Sequence, residues 1–222
     1  MLAFSSLLGN VEGQNIYRIW YDKPASYWEE ALPIGNGRIA AMVFGDPQLE
    51  QIQLNEETVS AGSPYQNYNE EAKTALPEMR RLIFEGKYEE AQNMAATKIL
   101  SQVGNEMPYQ TVGRLNIRYQ DHKKVNNYYR DLDISNAVAV TRYEVDGVEF
   151  TEETFASFTD QLVIRHIKAS KPGTINCELF FNTPMRDPKR SIYGKKGLRL
   201  EGITHGSRYF PGKVHYCADL DV

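Results

Sequence analysis

The chain has 222 residues, with 29 acidic and 25 basic side chains interspersed along it and a formal net charge of −4. That balance produces no field that would gather a polyanion, so nucleic acid is not an expected partner. With 41% hydrophobic residues the chain can bury a core. No stretch approaches the roughly 18 apolar residues of a membrane span.

The segment 1–13 carries Leu2-Ala3-Phe4 and Leu7-Leu8 ahead of small and polar residues. It resembles the tail of a secretory signal peptide without the basic leading region, or else a disordered arm, and it favours a secreted or periplasmic location. The domain is read from residue 14 to residue 222. Ile16 to Trp20 alternates as a first strand, followed by a turn at Asp22-Lys23-Pro24. Ser26 to Ala31 suggests one or two helical turns, with Ser26 as cap, Glu29 three residues on, and Pro33 as the stop. Arg38 to Phe44 and Leu49 to Leu54 flank Gly45-Asp46-Pro47-Gln48 and should pair as a hairpin.

From Asn69 to Leu100 the apolar positions take helical spacing, Met79, Leu82 and Ile83, then Tyr88, Ala91, Ala95 and Ile99. Pro77 fits a first helical turn and Gly86 a helix stop, so a helical insertion is expected around 69–100. Strand signals then return. Leu115 to Tyr119 is one; Ala137 to Val145 and Val148 to Phe158 flank Asp146-Gly147, the strongest short hairpin signal in the chain. Gln161 to Lys168 and Thr174 to Asn182 flank Lys171-Pro172-Gly173 and extend a meander, with Ile175, Cys177, Leu179 and Phe181 on one buried face. Thr183 to Gly197, rich in basic residues, Pro and Gly, reads as a surface loop; Leu198 to Leu200 and Val214 to Val222 are further strands. The last has no closing turn or cap, which suggests an architecture incomplete at its carboxy end. Many short strands at regular spacing indicate a mainly β, antiparallel β-sandwich.

Candidate chemistry is sparse. Cys177 and Cys217 are the only cysteines, with no Cys-x-x-Cys spacing and no histidine pair, which argues against a zinc site. One disulfide remains open against two buried thiols, the commoner outcome. Gly35-Asn36-Gly37-Arg38 is the most unusual local sequence. No helix begins after it and its glycines lack a nucleotide fingerprint, so a tight turn is favoured over a phosphate loop. Asn55-Glu56-Glu57-Thr58 offers adjacent carboxylates past a strand. Neighbours on a strand point to opposite faces, so Glu56 and Glu57 cannot face each other across a sugar without a sharp bend. The four histidines and the cluster Arg186, Lys189, Arg190, Lys195 and Lys196 form no recognisable centre.

Several motifs occur together in one order: Tyr21-Asp22-Lys23-Pro24-Ala25, Trp28 through Arg38, Gln53 through Thr58, Pro108-Tyr109-Gln110, Tyr129 through Asp133, Asp146-Gly147-Val148, Phe155-Ala156-Ser157 and Asp160 through Val163. In this combination the chain resembles the amino-terminal domain of glycoside hydrolase family 95, the α-L-fucosidase and α-L-galactosidase group. The resemblance implies a galactose-mutarotase-like super-sandwich that packs on a downstream (α/α)6 catalytic barrel. It also implies hydrolysis of fucosylated or galactosylated glycans with inversion; nothing in the sequence indicates a cofactor or metal. The family's catalytic groups lie in the barrel, so no catalytic residue is assigned to this chain. Gly35, Asn36, Gly37, Arg38, Asn55, Glu56 and Thr58 are assigned to a domain junction or pocket edge. Where the family continues Leu-Trp-Ser-Gly after Thr58, this chain has Val59-Ser60-Ala61-Gly62 and lacks the large aromatic. The alternative reading is a free-standing carbohydrate-binding or interaction module that stacks exposed Tyr and Trp on sugar rings.

Overall fold

The computed structural model describes residues 17–62, 66–101, 107–206 and 211–222. The segment 1–13 and Ile16 lie outside them. The chain divides into two compact units, one built from residues up to Glu56 with Gly113–Thr183, the other from Glu57–Val112 with Pro184–Val222.

The first unit is a sandwich of two five-stranded antiparallel sheets. One has the order β1 (Arg18–Tyr21), β6 (Val125–Asp133), β7 (Val138–Val145), β8 (Val148–Ser157), β9 (Leu162–Ala169). The other has the order β10 (Cys177–Asn182), β5 (Gly113–Tyr119), β4 (Leu49–Glu56), β3 (Ile39–Val43), β2 (Leu32–Gly35). Alternation along each strand supplies the core. Leu32, Ile34, Ala41, Val43, Ile52 and Ile117 from one sheet meet Leu132, Ala139, Tyr143 and Phe150 from the other, all buried.

Turn chemistry explains the hairpins. Asp146 and Gly147 both have positive φ, 49° and 75°, the backbone that matches the twist of β7 and β8. Between β3 and β4, the Asp46 Oδ1 accepts hydrogen bonds from the N–H of Gln48 and of Leu49, which closes the expected hairpin.

Four expectations are corrected. The 26–31 stretch makes only a short 3-10 turn at Trp28–Glu30, and Tyr27, not Ser26, precedes it. There the Ser26 N–H donates to the Glu30 carboxylate, and Pro33 sits within β2. The meander does not run on into β10, which pairs with β5 in the opposite sheet; the Lys171-Pro172-Gly173 turn carries the chain across the sandwich. On that last stretch Phe181 is buried, but Ile175 remains exposed. Finally, β6 forms where no strand was expected.

In the second unit, α1 (Ala72–Phe84) and α2 (Tyr88–Met94) form where helical spacing predicted them, and a π-helical turn, Ala95–Ile99, continues α2. Of the predicted apolar face Leu82 and Ala91 are buried, whereas Ile83 and Tyr88 are exposed. Gly86 ends α1, where the Lys87 N–H reaches the Leu82 carbonyl. Pro77 lies inside α1 and not in its first turn. The stretch read as a loop after Thr183 contains β11 (Arg186–Tyr193), which pairs with β12 (Gly197–Ile203) and through it with β13 (His215–Leu220). All eight β11 residues are exposed, and a register shift between Arg186 and Lys189 accommodates Pro188. The segment after Thr58 is buried at Val59 and Ala61. It bonds through the Gln110 and Ala61 N–H groups to the Val59 and Pro108 carbonyls, respectively. Paired hydrogen bonds between the Gln110 amide and the His205 backbone join the two halves of this unit.

Candidate functional site

The turn between β2 and β3 is built by Asn36. Its backbone N–H donates to the Ile39 carbonyl at 3.1 Å, while its Oδ1 accepts from the N–H of Arg38 at 3.1 Å and of Ile39 at 2.9 Å. Gly37 between them has φ of +94°, a conformation other residues adopt only with strain. Gly35 lacks the Cβ that would come within 3.2 Å of the Ile39 carbonyl oxygen. The Asn36 Nδ2 then reaches the opposite sheet and donates to the Ser157 carbonyl at 2.8 Å and to Gln161 Oε1 at 3.3 Å. One amide therefore fixes its own turn and ties it to the β8–β9 turn.

Arg38, thus positioned, donates through Nε to Glu56 Oε1 at the end of β4, 3.2 Å away. The structure brings together five of the seven predicted residues, Gly35, Asn36, Gly37, Arg38 and Glu56. Asn55 stands opposite Ala40 in the β3–β4 register, a position shared with the same sheet corner. Thr58 falls in the second unit, in the exposed turn that follows β4. The corner offers a tethered guanidinium, a half-buried carboxylate and backbone amides, which suits orientation of a neighbouring polar loop. Its carboxylate, Glu56, is engaged by the Arg38 guanidinium, which suits a positioning role rather than the facing carboxyl pair of glycoside hydrolysis. Among the described residues, no group of three or more His, Cys, Asp or Glu side chains could hold a metal ion. Both cysteines are free thiols, but Cys177 is only half-buried and Cys217 is exposed, so the expected pair of buried thiols is not formed; desolvation raises the pKa of each.

Sequence reasoning missed a buried polar network between the sheets. Glu50 and Glu152 are almost wholly buried and share the guanidinium of Arg165, whose Nη2 contacts both carboxylates. Glu50 also accepts from the N–H of Phe44 and of Gly45; Glu152 Oε1 accepts from the hydroxyls of Tyr119 and Tyr143 at 2.8 and 2.6 Å. Burial pushes both phenols well above their ordinary range, which keeps them donors. His122 stacks on Tyr119 at 4.4 Å and bonds through Nδ1 to the Pro47 carbonyl; burial lowers its pKa. With every carboxylate oxygen engaged, this network joins sheets and presents no reactive group to solvent. The signal was available: Glu50 shares a strand face with Ile52, and Glu152 with Phe150.

A second missed feature is a cleft of about 580 Å³ lined by Lys23 through Trp28, Phe44, Asp46, Gln51 and Arg114. Its wall is the arm between β1 and β2. Arg130, itself buried beneath the Tyr21 ring at 4.1 Å, donates to the carbonyls of Lys23 and Glu30 and clamps both ends of that arm.

The chain is 38% identical over 181 residues, 79% of its length, to Alpha-L-fucosidase 2 of Arabidopsis thaliana, of which it covers 21%. It is also similar to proteins named Probable alpha-fucosidase A from Aspergillus niger (26% over 162 residues, 68% of this chain and 20% of that protein) and Aspergillus oryzae (25% over 211 residues, 89% and 28%). It thus spans between a fifth and just over a quarter of the length of these curated relatives. A family model described as Glycosyl hydrolase family 65, N-terminal domain, matches residues 19–218, from β1 into β13. The chain belongs to that family of glycoside hydrolase N-terminal domains.

Proposed function

We propose that this chain is the amino-terminal, non-catalytic domain of a secreted or periplasmic family 95 glycoside hydrolase that removes α-L-fucose, or α-L-galactose, from glycans with inversion. The observation that carries this reading is the 38% identity over 181 residues to a protein named an α-L-fucosidase. Its small share of that relative's length leaves ample chain for a catalytic (α/α)6 barrel, which would be the partner of the sandwich. The Gly35–Arg38 turn with Asn55, Glu56 and Thr58 would meet that barrel. An Arg–Glu pair that is only half withdrawn from water, on a turn fixed from two sides by Asn36, is suited to hold a loop of another domain in place.

The test begins with the reading frame past codon 222, expected to encode a barrel, followed by assay of its whole product on 4-nitrophenyl α-L-fucopyranoside. Arg38→Ala in that product should lower kcat/KM on the order of tenfold, equivalent to about 1.4 kcal/mol of transition-state stabilisation. Unchanged kinetics would remove the corner from the catalytic assembly.

A further inference from the structure

The cleft beside the Arg130-clamped arm has the makings of a ligand site that the corner lacks. Its wall is fixed before any ligand arrives. The Ala25 N–H donates to the Phe44 carbonyl at 3.0 Å, Arg130 holds the carbonyls of Lys23 and Glu30 at 2.8 and 2.7 Å, and the Ser26 N–H is held by Glu30 at 2.9 Å. On this rigid arm two adjacent aromatic side chains stay in water, Tyr27 at 57% and Trp28 at 49% exposure. Leaving two large rings exposed on a clamped backbone has no packing rationale within the sandwich. Across the cleft, the Arg114 guanidinium lies 5.6 Å from the centroid of the buried Phe44 ring and donates to Gln51 Oε1 at 2.8 Å. Asp46 completes the polar lining; its Oδ1 closes the β3–β4 turn, and its other oxygen makes no hydrogen bond among the described residues.

We infer that this cleft is a saccharide-binding site, separate from any centre of hydrolysis, that holds pyranose rings of a neutral glycan. The chemistry selects that class. Aromatic faces stack against the C–H faces of a pyranose, while a guanidinium, a carboxamide and a carboxylate together donate to and accept from its hydroxyls. The volume lies within the range of about 300–1,000 Å³ usual for small-molecule sites. Asp46 partly offsets Lys23 and Arg114, and Lys23 is itself 3.4 Å from Glu30, so the lining does not call for an anionic ligand. A fixed wall also loses little conformational freedom on binding.

This inference rests on the reading of the chain as part of a glycan-degrading enzyme, and the experiment separates the two. Saturation-transfer difference NMR on the 222-residue chain, with 2′-fucosyllactose and lactose as probes, should show transfer to ring protons of at least one of them. Trp28→Ala should weaken the binding about tenfold, and Arg114→Leu should weaken it as well. Both side chains are exposed, and an unchanged thermal midpoint would certify that each variant is folded. No transfer from the wild-type chain, or transfer undiminished in both folded variants, overturns the inference, even if the whole reading-frame product hydrolyses 4-nitrophenyl α-L-fucopyranoside. Transfer lost in the variants upholds it, even if that product shows no fucosidase activity, in which case it is the enzyme reading that fails.

Discussion

At the scale of single residues, the most consequential feature is the sharing of Arg165 between Glu50 and Glu152. Removing the cation leaves two buried carboxylates without their counter-charge, whereas neighbouring exposed pairs are worth little. Arg165→Met is therefore expected to destabilise the sandwich by about 3–5 kcal/mol, read as a drop in the urea midpoint. Arg118→Met, which breaks an exposed pair with Glu178, should change stability by less than about 1 kcal/mol. His122 makes a pH prediction. Its folded pKa lies below its ordinary 6.5 because burial disfavours the cation, so the unfolded chain binds the proton more readily. The stabilisation from the neutral imidazole is complete above the unfolded pKa and is lost as pH falls through it toward the folded value. The thermal midpoint should fall between pH 7 and pH 5, and His122→Phe should flatten that slope; an equally steep slope in the variant would assign it to other groups.

Elements show which parts of the fold can be inferred from sequence. Asp146-Gly147 announces the β7–β8 hairpin because positive φ at both turn positions suits few other residues. The helices were legible from the apolar spacing from Met79 to Ile99, although of that set only Leu82 and Ala91 are buried while Ile83 and Tyr88 are exposed. Elsewhere the signal was broken. In β6 the register shifts between Asn126 and Tyr129, and Asn127 takes a positive φ of 51°, so period-two alternation never develops across the strand. β11 has no buried face at all and contains Pro188, so it resembles a loop until β12 supplies a partner. The Asn36–Arg38 turn was legible from its glycines, but its tie to Ser157 joins residues 121 positions apart and leaves no local trace. The same holds for the cleft, whose wall is held by Arg130 reaching back to Lys23 and Glu30 and by the bond from Ala25 to Phe44. Pro77 supplies a test within α1. It removes an interior N–H that would face the Lys73 carbonyl. Pro77→Ala should therefore stabilise the helix by up to about 3 kcal/mol, seen as slower amide exchange along Ala75–Leu82. Faster exchange would mean that the proline ring packs favourably in place.

At the scale of the whole molecule, the family match from residue 19 to residue 218 accounts for the β-sandwich. Under the proposed reading, such a domain would support and orient a catalytic barrel encoded elsewhere in the polypeptide, and the cleft would contact the glycan. Relatives of which this chain covers 20–28% leave room for that barrel. The central claim is that the chain serves an inverting α-L-fucosidase, and the anomeric form of the released sugar tests it most directly. Proton NMR of the reaction run by the whole reading-frame product on 2′-fucosyllactose should show β-L-fucose first, with the α-anomer growing in only as mutarotation proceeds. Initial release of α-L-fucose, or no release of fucose, would contradict the account.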